Sequence, residues 1–355
     1  MKLFHSMTEE DLKGWLTTHE EKPFRAAQLL EWVYAKGVTE WNQMTNLGGP
    51  LKQKLTENLS LNSLELAQTV DSSDGETTKF LWKLADGKLV ESVLIRSFDR
   101  RTVCVSSQVG CPARCAFCAS GKKGLIRNLS SSEIFEQVYE IDRLLKKVGE
   151  RVSNVVYMGM GEPFENYDEV MSSIRLLCDP KRLGLSQRRI TVSTVGVVEA
   201  IIRFAQEDLK VNLVLSLHAP NQRIRQKIIP YARKYPLEEI LKAMRFFAEK
   251  TKRDITYEYT MMEGINDSLQ EAEELAKLLK GEQCTVNLIP YNPVEGLRLN
   301  RPSSENVEAF KKYLESHGLN VTWRFTKGKD IAAACGQLAL KESANASFVK
   351  DSVCS

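Results

Sequence analysis

Apolar positions along the chain fall into three regimes. From residue 7 to 60 they recur at helical spacing. Leu12, Trp15 and Leu16 follow a capping Thr8, and Phe24, Ala27, Leu30, Trp32 and Val33 begin near Pro23. A loop at 46–50 precedes a third helix carrying Leu51 and Leu55. Over 63–106 the period shortens. Leu64 and Leu66, then Phe80, Trp82 and Leu84, then 89–95, then Val103 and Val105 read as strands parted by turn signals at 73–75 and 86–87. From 101 to about 325 strand and helix alternate, with strands expected at 102–106, 153–158, 189–193, 211–217, 255–261 and 284–290. The clearest helix, 131–148, has Ser130 and Glu133 placed as a capping box ahead of Ile134, Phe135, Val138, Ile141 and Leu145.

Six successive βα units predict an α/β fold whose parallel strands are joined by right-handed crossovers. The strands could close into a partial barrel or lie in a doubly wound sheet. Either arrangement puts an active site at their C-terminal ends. The expected division is a helical module at 1–63, a β meander at 64–100, an α/β core at 101–340 and a tail at 341–355.

Composition narrows the class. The chain has 355 residues, 43% hydrophobic and 27% charged, as suits a soluble globular protein. No apolar run nears the roughly 18 residues that span a membrane. The N-terminus lacks the pattern of a signal peptide, so a cytoplasmic location without a membrane partner is expected. The net charge of +3 hides an uneven distribution. Residues 181–235 hold 11 basic and 3 acidic side chains, whereas 1–63 hold 7 and 8. A positive segment of this kind attracts polyanions, although a solvated helix face has the same composition.

Four of the eight cysteines lie within 104–118. Disulfides are rare in a cytosolic protein of this size, so the crowding needs another reason. Cys111, Cys115 and Cys118 form CxxxCxxC just after the first core strand. Three thiolates suit a soft metal centre. Structural zinc takes four ligands, as do most iron–sulfur clusters. The triplet therefore points to a cluster with one iron open to a small molecule, or to zinc completed by a distant ligand.

CxxxCxxC in a loop after the first strand of a βα core resembles the radical S-adenosylmethionine (SAM) superfamily. More closely, Glu91-Ser-Val93, Cys104-Val-Ser-Ser-Gln-Val-Gly-Cys111, Gly159-Met-Gly-Glu-Pro163, Ser216-Leu-His-Ala-Pro220 and Ala333-Ala-Cys-Gly-Gln-Leu338 resemble the RlmN-type RNA methyltransferases, in family order from about Lys13 to Leu338. The related Cfr enzymes share the cysteines but usually carry Ala at the position of Pro163. The resemblance implies a partial (β/α)6 barrel with a small N-terminal helical domain.

It also implies a site. Cys111, Cys115 and Cys118 would hold one [4Fe–4S] cluster. Gly161, Glu162, Ser193, Ser216, Leu217, His218 and Asn292 would contact SAM, two molecules of which serve each turnover. Cys335 would be methylated first, through a thiolate whose pKa the site should depress. Its methyl carbon would then be joined to adenine. Cys104 would resolve the adduct through a transient disulfide. Glu91 would take the ring proton, with Cys104 as the other candidate base. Cys178 and Cys284 match no catalytic position.

The implied substrates are an adenosine in the peptidyl-transferase region of 23S rRNA and the adenosine at position 37 of some tRNAs, methylated at C2. A Cfr-like C8 activity is the alternative. A non-catalytic iron–sulfur carrier or RNA sensor is a further alternative, and it would need neither Cys104 nor Cys335. The expected partners are RNA and a one-electron reductant such as flavodoxin, and the expected state is a monomer. Arg188, Arg189, Arg223, Arg225 and Lys227 would meet the RNA backbone, with Lys122, Lys123 and Arg127 near the cluster.

Overall fold

The computed structural model describes residues 1–324 and 327–338. The tail at 341–355, with Cys354, lies outside the described residues. The chain opens with β1 (Lys2–Leu3), α1 (Glu9–Thr18), α2 (Arg25–Leu30) and α3 (Gly49–Asn58), and β1 pairs in parallel with β2 (Leu59–Ser60). Thr8 caps α1 reciprocally: its Oγ1 accepts from Asp11 N at 3.1 Å, and Asp11 accepts from Thr8 N at 2.8 Å. The second helix continues as a π turn over Glu31–Ala35.

The apolar faces of these helices share one core with the rest of the molecule, where Phe4, Leu12 and Leu55 join Phe135. Two buried polar side chains fasten the helices to that core. Arg182 donates to His5 O at 2.9 Å, to Met7 O and to Tyr34 Oη. Glu136 accepts from Ser63 N at 2.8 Å and Leu64 N at 3.1 Å. Burial pushes Glu136 up to about 8 against the pull of these donors.

Next come β3 (Leu64–Asp71), β4 (Thr77–Leu84), β5 (Leu89–Ser97), β6 (Arg100–Cys104), β7 (Gln108–Gly110) and β8 (Leu125–Asn128). The rest alternates: α4 (Ser131–Lys146), β9 (Asn154–Tyr157), α5 (Tyr167–Cys178), β10 (Ile190–Thr194), α6 (Val198–Phe204), β11 (Asn212–Ser216), α7 (Gln222–Ile228), α8 (Leu237–Thr251), β12 (Ile255–Met261), α9 (Leu269–Leu278), β13 (Cys284–Pro290), α10 (Ser304–Ser316) and β14 (Asn320–Trp323). One sheet of 10 strands runs β14-β13-β12-β11-β10-β9-β6-β5-β4-β3. Strands β6 and β9 to β14 are parallel, and β3, β4 and β5 extend the β6 edge antiparallel. The meander therefore shares the core sheet.

The parallel array holds one strand more than the six expected. That strand, Asn-Val-Thr-Trp, buries only Val321, too little to show a period of two. The β7–β8 hairpin, of 3 and 4 residues, was equally invisible. Along the parallel strands Tyr157, Val192, Leu215, Tyr257 and Val286 are buried in the helix-packed core. Residues of the opposite parity line cavities on the inner face, and many are polar: Thr191, Ser193, Asn212, Ser216, Thr256, Glu258, Thr260, Thr285 and Asn287. No helix among the described residues is long and apolar enough to cross a membrane.

Candidate active site

The CxxxCxxC loop hangs from the β7–β8 hairpin. Cys111 N donates to Gly124 O at 3.1 Å, Cys118 N to Cys115 O at 3.2 Å, and Ala116 N to Ile228 O at 2.8 Å. Arg114 takes a positive φ of 52°, and Gly121 lets the loop pass, since a Cβ there would lie 3.0 Å from Arg114 Cα. All three thiols line a cavity of about 140 Å³ at the C-terminal ends of the strands, together with Gly161, Glu162, Ser193, Ser216, His218, Asn292 and Cys335. Leu217 does not line it. Its side chain is in the main core, and its carbonyl accepts from Arg225 Nε at 3.1 Å.

The neighbours of each side chain limit what it can do. Glu162 Oε1 accepts from Phe164 N at 3.0 Å and Oε2 from Val195 N at 2.8 Å, while burial lifts its pKa to about 7. Pro163 starts the turn that Glu162 caps, a backbone role. Gly161 has φ of 111°, and a Cβ there would meet Ser107 Oγ at 2.7 Å, so glycine is required for contact with the protein's own 105–108 segment. Ser193 Oγ and Ser216 Oγ are 3.1 Å apart. His218, also at positive φ, accepts from Thr260 N at its Nδ1 (2.9 Å) and packs edge-on against Phe117. Burial, with Arg225 nearby, lowers His218 to about 3, so it is neutral and keeps its proton on Nε2.

Cys335 is solvent-exposed toward the cavity on a segment sewn to both neighbouring loops. Asn292 Nδ2 donates to Cys335 O at 3.3 Å, Ala119 N to Gly336 O at 2.8 Å, Ser120 Oγ to Leu338 O at 2.8 Å and Gln337 Nε2 to Pro293 O at 2.8 Å. Its thiol pKa is raised rather than depressed as expected. Enclosure by protein outweighs the Arg324 guanidinium, and Glu258 adds to the rise. Cys104 is buried at the end of β6 and close enough to Cys335 for the two thiols to influence each other; burial pushes it to about 12.

Glu91 is a neighbour of this cavity rather than part of its wall. It is 1% exposed and pairs with Lys79 Nζ at 3.2 Å. It lines an adjoining cavity of about 430 Å³ with Lys79, Lys122, Lys123, Lys329 and Ala332.

The basic segment 181–235 does not form one patch. Arg182 is buried under the helical module, and Arg203 pairs with Asp168 at 2.6 Å. Arg225 is fully buried and donates to the carbonyls of Leu217, Val195 and Ser216. Arg188 and Arg189 immediately precede β10, at the end of the barrel opposite Cys335. Arg223 and Lys227 are exposed on α7, on the cysteine side. Sequence reasoning missed Glu258, Arg324 and Asn287 inside the barrel. For Glu258 and Asn287 the signal was polar residues at alternate positions of the strands expected at 255–261 and 284–290; Arg324, just past β14, gave none.

A thiol-lined cavity at the mouth of a partial parallel barrel defines a radical SAM architecture, and the Radical SAM superfamily matches residues 105–279. The Ribosomal RNA large subunit methyltransferase N-terminal domain matches residues 3–61. The chain is 61% identical over 333 residues to the "Probable dual-specificity RNA methyltransferase RlmN 2" of Protochlamydia amoebophila, covering 94% of this chain and 93% of that one. It is 47% identical over 338 residues to the "Probable dual-specificity RNA methyltransferase RlmN" of Bacillus licheniformis, covering 95% and 93%. The crystal structure of a radical SAM methyltransferase from Sphaerobacter thermophilus superposes with a TM-score of 0.93 at 41% identity, covering 95% and 99%. The chain belongs to the RlmN family of radical SAM RNA methyltransferases, enzymes that use a [4Fe–4S] cluster and SAM.

The cavity fits such a cluster. Burial raises Cys111 to about 12 and lifts Cys115 and Cys118 above the usual thiol value. Three enclosed thiolates therefore need positive charge from a metal centre. Among the described residues no three His, Cys, Asp or Glu are grouped tightly enough for a single ion.

Proposed function

We propose that the protein methylates C2 of an adenosine in the peptidyl-transferase region of 23S rRNA and of adenosine 37 in some tRNAs, using Cys335 as the methyl carrier. The observation that carries this reading is Cys335 itself, exposed into the cavity that the three CxxxCxxC thiols line and electrostatically coupled to Cys104. A carrier or sensor has no use for that pair.

Cys111, Cys115 and Cys118 hold the cluster. Gly161, Glu162, Ser193, Ser216, His218 and Asn292 orient SAM, and Leu217 contributes through its backbone. When bound, the cluster and SAM supply a radical able to take hydrogen from the methyl group on Cys335. The protein's residues do the rest. Cys335 accepts a methyl group and later holds the carbon joined to adenine. Glu91, in the wall of the adjoining cavity of about 430 Å³ that would admit the RNA, takes the ring proton. Cys104 attacks the sulfur of Cys335, freeing the base and leaving a disulfide for reduction. Lys122 and Lys123, exposed at the entry cavity, contact RNA phosphates. The target base leaves its stack to reach Cys335. A one-electron reductant such as flavodoxin completes the system.

The test is reconstitution with cluster, methyl-labelled SAM, reductant and RNA, followed by nucleoside mass spectrometry. Label at C2, and a trapped protein–RNA adduct with Cys104→Ala, are expected. Label at C8, or absence of label from both RNA and Cys335, overturns the reading.

A further inference from the structure

Methylating a thiol releases a proton, and the Cys335 cavity offers few places to put it. His218 cannot take it, because its Nδ1 already accepts from Thr260 N. Both oxygens of Glu162 are engaged by backbone N–H groups. Glu258 differs. It is 4% exposed, and its Oε1 accepts from Asn287 Nδ2 and Arg324 Nη1, each at 3.2 Å, while its buried Oε2 has no hydrogen-bond partner among the described residues. One oxygen is anchored and the other is free.

Glu258 also stands between two spaces. With Met158 it borders both the Cys335 cavity and a second cavity of about 710 Å³. That second cavity is the barrel lumen. It is walled by Thr191, Asn212, Thr256 and Thr285, and reaches Arg188 and Lys252, exposed at the N-terminal ends of the strands. A polar space of this size holds water. The lumen opens at the N-terminal ends of the strands, on the side opposite Cys335.

We propose that Glu258 takes the Cys335 proton during self-methylation and passes it to solvent through the barrel lumen. The inference rests on the reading of Cys335 as methyl acceptor. The thiol S–H bond breaks toward Glu258 Oε2. The Cys335 Sγ–CH3 bond forms as the methyl–sulfonium bond of SAM breaks, and its electron pair stays on the departing thioether sulfur. Water in the lumen then removes the proton from Glu258. Burial raises the affinity of Glu258 for that proton, opposed by Arg324 and Asn287. The other ionisable groups on the same two cavities include Cys335, Glu162, the three CxxxCxxC thiols and neutral His218 above, and Arg188, Lys252, Arg253 and Asp254 at the lumen mouth.

The experiment follows Cys335 methylation by intact-protein mass spectrometry in single turnovers of reconstituted enzyme across pH. Glu258→Gln should slow it about 100-fold and flatten its pH profile, with Glu258→Asp restoring part of the rate. Cluster absorbance and SAM affinity should hold. In cluster-free protein, the infrared difference between wild type and Glu258→Gln should contain one titrating carboxylic-acid band beyond those that Glu136 and Glu162 give in both. Thr256→Met, which narrows the lumen on the solvent side of Glu258 and leaves its carboxylate in place, should also slow methylation. This second variant keeps the test alive if Glu258→Gln fails to fold. A methylating wild type with unchanged rate and profile in Glu258→Gln, or in Thr256→Met where only that variant folds, overturns the inference alone. A wild type that takes no methyl at Cys335 overturns the proposed function with it.

Discussion

Replacing Arg182 with Met should loosen the helical module from the barrel. The Arg182 side chain is 1% exposed and supplies donors to His5 O, Met7 O and Tyr34 Oη, besides an ion pair with Asp179 at 3.2 Å. Methionine nearly matches its length and offers no donor. Each of three bonds from a charged donor is worth about 1.5–3 kcal/mol. Against this, removing a buried guanidinium recovers a desolvation cost of several kcal/mol. The difference is a loss of about 3 kcal/mol in docking. At about 1.4 kcal/mol per decade, the module should open roughly 100-fold more often. Hydrogen exchange reads this directly: amides of α1 should exchange faster by that factor, while those of α8, packed on the outer face of the barrel strands, stay unchanged. Equal protection of α1 in variant and wild type would refute the assignment of docking energy to Arg182.

Other outcomes can be measured separately. His5 and His218 are each held near 3 by burial, against 6.5 when unfolded. The stability they allow is full above 6.5 and lost as pH falls toward 3, about 2 kcal/mol per residue at pH 5. His5→Phe should shrink the drop in urea midpoint between pH 7 and 5, and an undiminished drop argues against it. Reversing charge at Lys122 and Lys123 should weaken RNA binding and flatten its salt dependence by about one unit of slope for each phosphate left unneutralised. The same change at Arg188 and Arg189, at the far end of the barrel, should not. Binding measured at several salt concentrations tells the two pairs apart. Gly161→Ala must strain a φ of 111° and push against Ser107, so SAM affinity by calorimetry should fall at least tenfold; unaltered affinity would show that the turn can shift.

Local signals in the sequence were legible where one residue's chemistry decides the structure. Thr8, Ser130 and Glu133 mark helix starts because their side chains replace missing backbone partners, and they do so here. The CxxxCxxC triplet was likewise readable from its spacing, whereas Cys335, a lone cysteine among alanines, stood out only through the family resemblance. What escaped depends on burial and neighbours. Arg182 and Arg225 look like surface charge, yet one clamps a module and the other fills the core with backbone carbonyls as partners. Cys335 was expected to be acidic, but the walls that orient it also raise its pKa. The polar inner face of the strands was written in Asn212, Thr256, Glu258 and Asn287. A period of two on a parallel sheet gains meaning only once curvature makes one face a lumen.

The shared sheet has one more consequence. Val93 on β5 is the ladder partner of Cys104 on β6, and Glu91 lies two residues along the same face of β5. Carboxylate and thiol are thus spaced by the lattice of the sheet rather than by any loop. Lengthening the turn at Phe98 and Asp99 would leave that spacing alone. Slipping β5 by a single residue would turn Glu91 to the opposite face. The chemistry is indifferent to linker length and intolerant of phase.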